Sequence, residues 1–538
     1  MRWRAGGALL AAVLVTMSAL VGPVAAIGPA AADPRPDRPA TYDHTPADPE
    51  NDTLGWEAGY WYNESIRVDQ SDGLNDSELN ATVARTMARV EVIRQLEFKR
   101  RVPVEIETRE SFDAQRANRS TDAALRRFDN VKFEALFLVG EDADSIDVQN
   151  ENAGTAVLGF YSPSRDAIVV ISESGSDLQL DELTLAHELV HALQDQYFNL
   201  TRYDARTRDG ANAENGLIEG DASLVEFRYE RRCTGEGDWN GTCLSQSGGG
   251  GGGSLANIGT YLVKFQPYSD GPSFVQSLYS QGGWDAVNAA YGDVPASAEQ
   301  VIHPEKYGVD PPTQVELEDR NSDAWERVRP PNRPDYGEVG EAALTTMLVF
   351  PLYQNPPGRI VSPNEWLNRT AGGELSSFDP LNYGHPYSAG WDGDRLHVYV
   401  NAANETAYVW RLVWDSPAEA EEFLEGYSQV LEYWGGEEVE PGRWVIEDGG
   451  FADAFHVRVE GDTVTIVNAP AVEQLDEVRA GTLATPTTTP PETPPETPSP
   501  TVSPSPSPSP TPTPGQPGFG IVAALAGLAG ALLWRRRR

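Results

Sequence analysis

The chain has few of the residues that close disulfides or bind transition metals. Among its 538 residues there are two cysteines and seven histidines. Cys233 and Cys243 stand ten residues apart in a Gly-rich segment, where they could close a small disulfide after export or remain free thiols. They do not form a Cys-x-x-Cys pair, so a cysteine-based zinc knuckle is excluded.

Basic residues are also scarce. Lysine and arginine together number 41 against 81 aspartates and glutamates, which gives a formal net charge of -40. A surface with this charge repels nucleic acid and anionic lipid, so we expect no nucleic-acid partner. The excess of acid resembles that of proteins from extreme halophiles, and an ordinary acidic protein that binds cations is the alternative.

Both ends of the sequence carry export and anchoring features. Residues 1–32 combine Arg2 and Arg4 with an apolar run and end in small residues before Asp33, which is the pattern of a secretory signal peptide. Residues 518–534 are uncharged and apolar, short for a membrane span but within range, and a run of arginines follows them. We therefore expect the main domains to lie outside the cell.

Residues 517–538 begin with Pro517-Gly518-Phe519, continue with the apolar segment and end in arginines. This order resembles the PGF-type sorting signal of haloarchaeal surface proteins. The resemblance implies that an archaeosortase removes the tail and that the protein is attached to a lipid; a retained membrane anchor is the alternative. Before the signal, residues 485–514 are Pro/Thr/Ser repeats, which predict an extended stalk.

Asn-x-Ser/Thr sequons are spread over the chain, and several are expected to be glycosylated on an exported protein. They begin at Asn51, Asn63, Asn75, Asn80, Asn118, Asn199, Asn240, Asn368 and Asn404.

One short motif predicts a metal site. The run His187-Glu188-Leu189-Val190-His191 is a His-Glu-x-x-His, and the apolar residues around it recur at helical spacing. On a helix, His187 and His191 leave the same face one turn apart and can supply two corners of a zinc tetrahedron. Glu188 lies beside them and can act as a general base. A chance pattern on a solvated helix is the alternative.

A third ligand is expected from a second predicted helix at residues 215–227. Glu219 lies on a polar face of that helix, 28 residues after His191. With the two histidines it would complete a site of two imidazoles and one carboxylate. The competing candidates for this ligand are Glu214 and Glu226.

Four residues near these ligands have predicted supporting roles. Gly220 and Ala222 are small and would let the second helix approach the metal helix closely. Asp221 and Asp195 could orient the imidazoles of the ligands through hydrogen bonds. A capping or surface role for the two aspartates is the alternative.

Substrate contacts are predicted on both sides of the metal helix. Two short apolar runs, residues 155–161 and 167–171, flank a Ser-Pro-Ser-Arg-Asp turn and predict a hairpin. One of these strands is the expected peptide-binding edge, with plain sheet core as the alternative. Peptide hydrolysis also needs a donor for the oxyanion. His303 or Tyr307 could serve, and a structural role for His303 is the alternative.

A family resemblance joins these motifs. The run from His187 to Gln196, followed by Glu219-Gly220-Asp221-Ala222, looks like the gluzincin type of metallopeptidase, with HExxH and a downstream EGDA. The resemblance implies that His187, His191 and Glu219 bind zinc and leave a fourth position open. It also implies that Glu188 is the catalytic base.

The expected fold is α+β. It consists of a zincin-like metallopeptidase domain at residues 33–330 and a smaller C-terminal α+β domain at residues 335–480, divided by a charged, Pro-rich stretch. The expected function is that of an exported, surface-anchored zinc metallopeptidase, a hydrolase that cleaves peptide or protein substrates with a zinc-activated water and Glu188. The alternative is a non-catalytic surface or envelope glycoprotein that retains a structural zinc.

Overall fold

The first part of the chain is mainly helical. The computed structural model describes residues 48–117, 121–156, 159–172, 178–235, 237–245 and 255–483. In chain order the elements up to residue 302 are β1 (Trp56–Glu57), β2 (Tyr60–Trp61), α1 (Asp76–Arg94), β3 (Val104–Thr108), α2 (Arg109–Ala117), α3 (Ala123–Ala135), α4 (Ser145–Ala156), β4 (Gly159–Ser162), β5 (Ala167–Ser172), α5 (Glu182–Phe198), α6 (Arg208–Cys233), α7 (Ile258–Ser269), α8 (Gly271–Ala290) and α9 (Ala298–Ile302).

The remaining described elements centre on an antiparallel sheet. They are β6 (Trp325–Arg327), α10 (Gly340–Val349), α11 (Pro363–Trp366), β7 (Trp391–Asn401), β8 (Thr406–Trp414), α12 (Pro417–Tyr433), β9 (Glu437–Glu440), β10 (Arg443–Val445), β11 (Ala454–Glu460), β12 (Thr463–Ala469) and α13 (Leu475–Val478). Seven strands form the sheet in the order β6-β7-β8-β12-β11-β10-β9. Together with the helices, this sheet makes the fold mixed α+β, as predicted.

Both faces of this sheet are covered. Along β8, Tyr408 and Trp410 enter one hydrophobic core, whereas Ala407 and Val409 enter another on the opposite face, as the alternation of a strand requires. The first core also includes residues of α3, α7 and α10, so it contains side chains from both sides of residue 330. The second core is closed by Leu475 and its neighbours in α13.

A smaller sheet precedes the helix with the His-Glu-x-x-His motif. Its strand order is β3-β5-β4, with β3 parallel and β4 antiparallel to β5. The predicted hairpin is therefore present as β4 and β5. The first predicted strand is shorter than expected, because residues up to Ala156 complete α4. Residues 157–158 lie outside the described ranges.

Local signals set the limits of α5. The carboxylate of Asp181 caps its first turn by accepting hydrogen bonds from the N–H groups of Leu183 and Thr184, and Asn199 ends the helix with a positive φ of 57°. Leu185, Leu189 and their neighbours bury the helix in a core shared with α1, α6 and α8. The prediction of a helix around the motif is thus confirmed.

The close approach predicted for Gly220 is present but involves a different helix. A Cβ atom on Gly220 would lie 2.2 Å from the carbonyl oxygen of Gly271, the first residue of α8. Gly220 therefore lets α6 pack closely against α8 rather than against α5. Ala222 is fully buried in the core that α6 shares with α5.

None of the helices in the described ranges has the length and apolar character of a membrane span. The predicted signal peptide at residues 1–32, the stalk at 485–514 and the sorting signal at 517–538 lie outside those ranges. At the end of α6, Cys233 and Cys243 form a disulfide.

Candidate metal centre

Two successive turns of α5 present His187 and His191 to the interior. Their side chains are 3% and 2% exposed, and the ring centroids lie 4.8 Å apart in an edge-to-face arrangement. The four-residue spacing places both rings on one face, and the surrounding apolar core excludes solvent. Few orientations are therefore open to either imidazole.

α6 brings Glu219 to both rings. Its Oε2 lies 3.2 Å from Nε2 of His187 and 3.2 Å from Nε2 of His191. One ligand atom from each of the three side chains lies within 4.8 Å of the other two. The structure thus brings together the three residues that the sequence predicts as ligands.

The far sides of the two rings have separate partners. Nδ1 of His187 lies 2.9 Å from Oε2 of Glu226, and Nδ1 of His191 lies 2.9 Å from Oε1 of Gln194. The amide of Gln194 is oriented by a hydrogen bond from its Nε2 to the carbonyl of Ile218. Both acceptors therefore favour the tautomer with the proton on Nδ1, which leaves a lone pair on each Nε2.

These three converging atoms fit a zinc ion. Two Nε2 lone pairs facing one carboxylate oxygen repel each other unless a cation lies between them. Ligands bound at about 2.0–2.1 Å in a tetrahedron lie about 3.3 Å apart, close to the two contacts of Glu219. Nε2 of His191 and Oε1 of Glu188 are buried and have no hydrogen-bond partner among the described residues.

Charge at the site favours cation binding. Burial alone would raise the pKa of Glu219, but the charge of His191 and the hydrogen bond with His187 lower the pKa to about 2. Burial would lower the pKa of both histidines, yet their contacts with Glu219 raise it. Glu219 is therefore ionised at neutral pH, which is the form that binds metal.

Glu188 connects the site to the edge strand of the small sheet. Its Oε2 accepts a hydrogen bond of 2.7 Å from the N–H of Tyr161 in β4. Burial raises the pKa of Glu188, and the charges of His191 and His187 offset part of that shift. A cavity of about 70 Å³ adjoins Glu188 and is lined by β4, β5 and the start of α5.

The two predicted orienting aspartates contact other groups. Asp221 accepts hydrogen bonds of 2.8 Å from Nε of Arg94 and from the hydroxyl of Tyr291. Asp195 accepts hydrogen bonds from the hydroxyl of Tyr161 and the N–H of Leu200. The orienting role predicted for them therefore falls to Glu226 and Gln194, as described above.

Helix geometry explains both differences. Asp221 lies two residues after Glu219 and so projects from nearly the opposite side of α6. Asp195 lies one turn beyond His191 and reaches the edge strand instead of the ring. Glu214, the other candidate ligand, accepts a hydrogen bond from the N–H of Ala205 near the start of α6.

His303 and Tyr307 form contacts other than those predicted. Nε2 of His303 lies 3.0 Å from Oε1 of Glu341 in α10, and the hydroxyl of Tyr307 donates to the carbonyl of Asp293. Neither hydrogen bond involves a residue of the metal centre. Both groups are thus engaged in pairings that hold the loop after α9.

Two known sequence families match the chain. A domain of unknown function (DUF8575) matches residues 326–479, and the PGF-CTERM motif matches residues 516–537. No curated protein and no solved structure matches. PGF-CTERM is a haloarchaeal signal for attachment to the cell surface. The protein is exported and anchored at the cell surface.

The motif confirms the predicted sorting signal and implies processing by an archaeosortase with anchoring in the membrane. The matched domain of unknown function covers nearly the same residues as the predicted C-terminal α+β domain. The candidate metal centre, whose residues fall between 187 and 226, lies outside both matches.

Proposed function

We propose that this surface-anchored protein is a zinc metallopeptidase of the gluzincin type with a zincin-like fold. One observation carries the proposal. The Nε2 atoms of His187 and His191 both lie 3.2 Å from one oxygen of Glu219, and Glu188 follows His187 directly. Two imidazoles, one carboxylate and an adjacent carboxyl group make up a site suited to metal-assisted hydrolysis.

The roles of the side chains follow from these contacts. His187, His191 and Glu219 would hold the zinc ion, and Glu226 and Gln194 would keep the two rings in the metal-binding tautomer. Zinc supplies Lewis acidity and makes a nucleophilic water available at neutral pH.

Glu188 has one oxygen held by Tyr161 and one buried oxygen without a donor among the described residues. The second carboxylate oxygen can accept a proton from the attacking water while the oxygen of that water bonds to the carbonyl carbon of the peptide. Glu188 then returns that proton to the amine as the C–N bond breaks. The number of protons on the enzyme is therefore unchanged after each cycle.

The edge strand gives the peptide a place to bind. β4 is the outer strand of its sheet on the side of Glu188, and the N–H of Tyr161 touches that carboxylate. A substrate laid along β4 would pass beside Glu188, and extended peptides bind to sheet edges in this way. β4 rather than β5 would bind the substrate, because β5 is the central strand of the sheet.

Burial favours one competing function. Each of His187, Glu188, His191 and Glu219 is at most 3% exposed, as the residues of a closed structural zinc site would be. In that case the protein is a surface glycoprotein whose zinc stabilises the pair α5 and α6. Such a protein would lose stability without zinc but would have no hydrolytic activity to lose.

Chelation separates the two functions. The purified protein is assayed on a peptide library in molar salt, then treated with a chelator, then given zinc again. The peptidase proposal predicts cleavage that disappears with zinc and returns with it. Zinc bound at one ion per chain without cleavage of any peptide in the library would favour the structural role.

A further inference from the structure

A second cavity lies along α6 and reaches the metal centre. Its volume is about 500 Å³, and it extends from the first residues of α6 to Glu219, with further walls from α3, α4, α7 and the 330–336 loop. We call it the α6 groove. Glu219 belongs to both the groove and the metal centre, so a molecule in the groove would lie next to the metal ligands.

The α6 groove is basic in a strongly acidic protein. Five basic side chains line it, against two acidic ones, although the whole chain carries a net charge of -40. The basic residues are Lys132, Arg206, Arg208, Lys264 and Arg333. Such a concentration of positive charge attracts anionic ligands.

The acidic side chains of the groove balance only part of this charge. Asp129 pairs with Lys132 and also accepts hydrogen bonds from Ser145 and Gln149. Arg206 pairs with Asp204, which is not part of the groove lining. Arg208 and Arg333 therefore supply the positive charge that a ligand in the groove would meet.

Arg208 has a buried donor that can still form a hydrogen bond. Its Nε is buried and has no hydrogen-bond partner among the residues that the structure describes. Burial lowers the pKa of Arg208; the charge of Asp129 offsets part of that shift, and the charge of Arg333 adds to it. Burial also lowers the pKa of Lys132, where Asp129 opposes the shift and Arg208 and Arg333 add to it. Three basic groups thus share one carboxylate, and a further anion in the groove would lower the free-energy cost of holding them together.

We infer that the α6 groove binds a carboxylate of the peptide substrate, from either an acidic side chain or the C-terminus. The inference rests on the proposed peptidase function. Arg208 lies eleven residues before Glu219 on α6, which corresponds to about 16 Å along the helix axis. An extended peptide covers that distance in about five residues. The recognised carboxylate therefore lies within about five residues of the scissile bond.

Binding of labelled peptides tests the inference without requiring turnover. The protein is the zinc-loaded Glu188→Gln variant, and the probes are eight-residue peptides. Binding is measured in molar salt, because salt screens long-range electrostatic attraction while direct ion pairs remain. One probe has internal Glu residues and an amidated C-terminus. A second has Gln in place of Glu and a free C-terminal carboxylate, and a third has Gln and an amidated C-terminus.

We expect a probe with a carboxylate to bind at least about tenfold more tightly than the third probe. Preference for the first probe identifies side-chain carboxylates as the recognised group, and preference for the second identifies the C-terminus.

Variants of the groove test which side chains are responsible. Arg208→Gln and Arg333→Gln, the latter on the exposed loop, should each reduce the preference for a carboxylate. Arg208→Lys should retain most of that preference. Arg458→Gln, which removes an exposed arginine of β11, is the matched control and should change nothing.

Equal binding of all three probes would overturn the inference, as would a preference that survives in the double variant Arg208→Gln/Arg333→Gln. Cleavage of the same peptides by the wild-type protein is scored separately. Binding with preference but without cleavage contradicts the peptidase proposal alone. Cleavage without preference contradicts the α6 groove alone.

Discussion

Glu226 and Glu219 contact opposite nitrogens of the His187 ring. Oε2 of Glu226 lies 2.9 Å from Nδ1, whereas Nε2 faces Glu219. Glu226 follows Glu219 by two turns of α6, so one helix face supplies both a proposed ligand and the acceptor that orients His187. An acceptor on Nδ1 selects the tautomer whose Nε2 can bind metal and makes that nitrogen more basic.

Replacing Glu226 should therefore weaken zinc binding. The Glu226→Gln variant is expected to bind zinc about 10- to 100-fold more weakly, because a neutral amide is a poorer acceptor for the imidazole N–H. Competition with a chromogenic chelator measures the affinity. Glu230→Gln, one turn further along α6 at an exposed position, is the matched control and should bind zinc like the wild type. Equal affinities for both variants would show that Glu226 does not orient His187.

Within one helix, the sequence was sufficient to predict the site. The i, i+4 spacing places His187 and His191 on one face of α5 whatever the rest of the fold does. The third ligand was harder to predict, because three glutamates of α6 were candidates and their order along the helix does not reveal which one faces α5. Packing of the two helices decides that Glu219 meets both rings and Glu226 only one.

Contacts between distant segments could not be predicted. Asp221 pairs with Arg94, 127 residues away, and with Tyr291, 70 residues away. No local pattern near Asp221 indicates either partner. Gly220 is similar: its small size predicted a close approach, but the neighbour turned out to be Gly271 of α8.

A buried charge cluster at the start of α5 should contribute strongly to the free energy of unfolding. Glu182 accepts hydrogen bonds from Arg85 at 2.9 Å, Arg89 at 2.7 Å and the hydroxyl of Tyr229 at 2.5 Å. Glu182→Gln leaves two buried arginines without their counter-charge, so the free energy of unfolding should fall by about 3–5 kcal/mol. Urea unfolding in molar salt measures the change.

The neighbouring residue provides the control for that experiment. Asp181→Asn keeps an oxygen that can cap α5, so its free energy of unfolding should change by less than about 0.5 kcal/mol. A loss for Glu182→Gln no larger than that of Asp181→Asn would contradict the role given to the cluster.

Stability should also depend on pH through Glu57 and Glu91. Burial, assisted by the charge of Glu91, raises the pKa of Glu57 to about 9. Burial raises the pKa of Glu91 to about 8, although the N–H groups of Phe98 and Gly55 donate to its carboxylate. A raised pKa in the folded state means that the stabilising contribution is complete below the unfolded pKa, about 4.3, and is lost as the pH rises through 8 to 9.

The free energy of unfolding should therefore fall between about pH 5 and about pH 9, and Glu57→Gln should reduce that fall by at least about 1 kcal/mol. Unfolding curves at several pH values measure it. Glu50→Gln, at an exposed position before β1, should retain the wild-type dependence. If Glu57→Gln and Glu50→Gln give the same pH profile, burial of Glu57 does not cause the loss of stability at high pH.

The most direct test of the central claim compares peptide hydrolysis by the zinc-loaded wild type and Glu188→Gln at equal, measured zinc content. Because Glu188 would accept the proton of the attacking water, kcat/KM should fall by at least about a hundredfold in Glu188→Gln, while one zinc ion per chain is retained. Glu230→Gln should keep wild-type activity. Equal kcat/KM for Glu188→Gln and the wild type at equal zinc content would contradict the account.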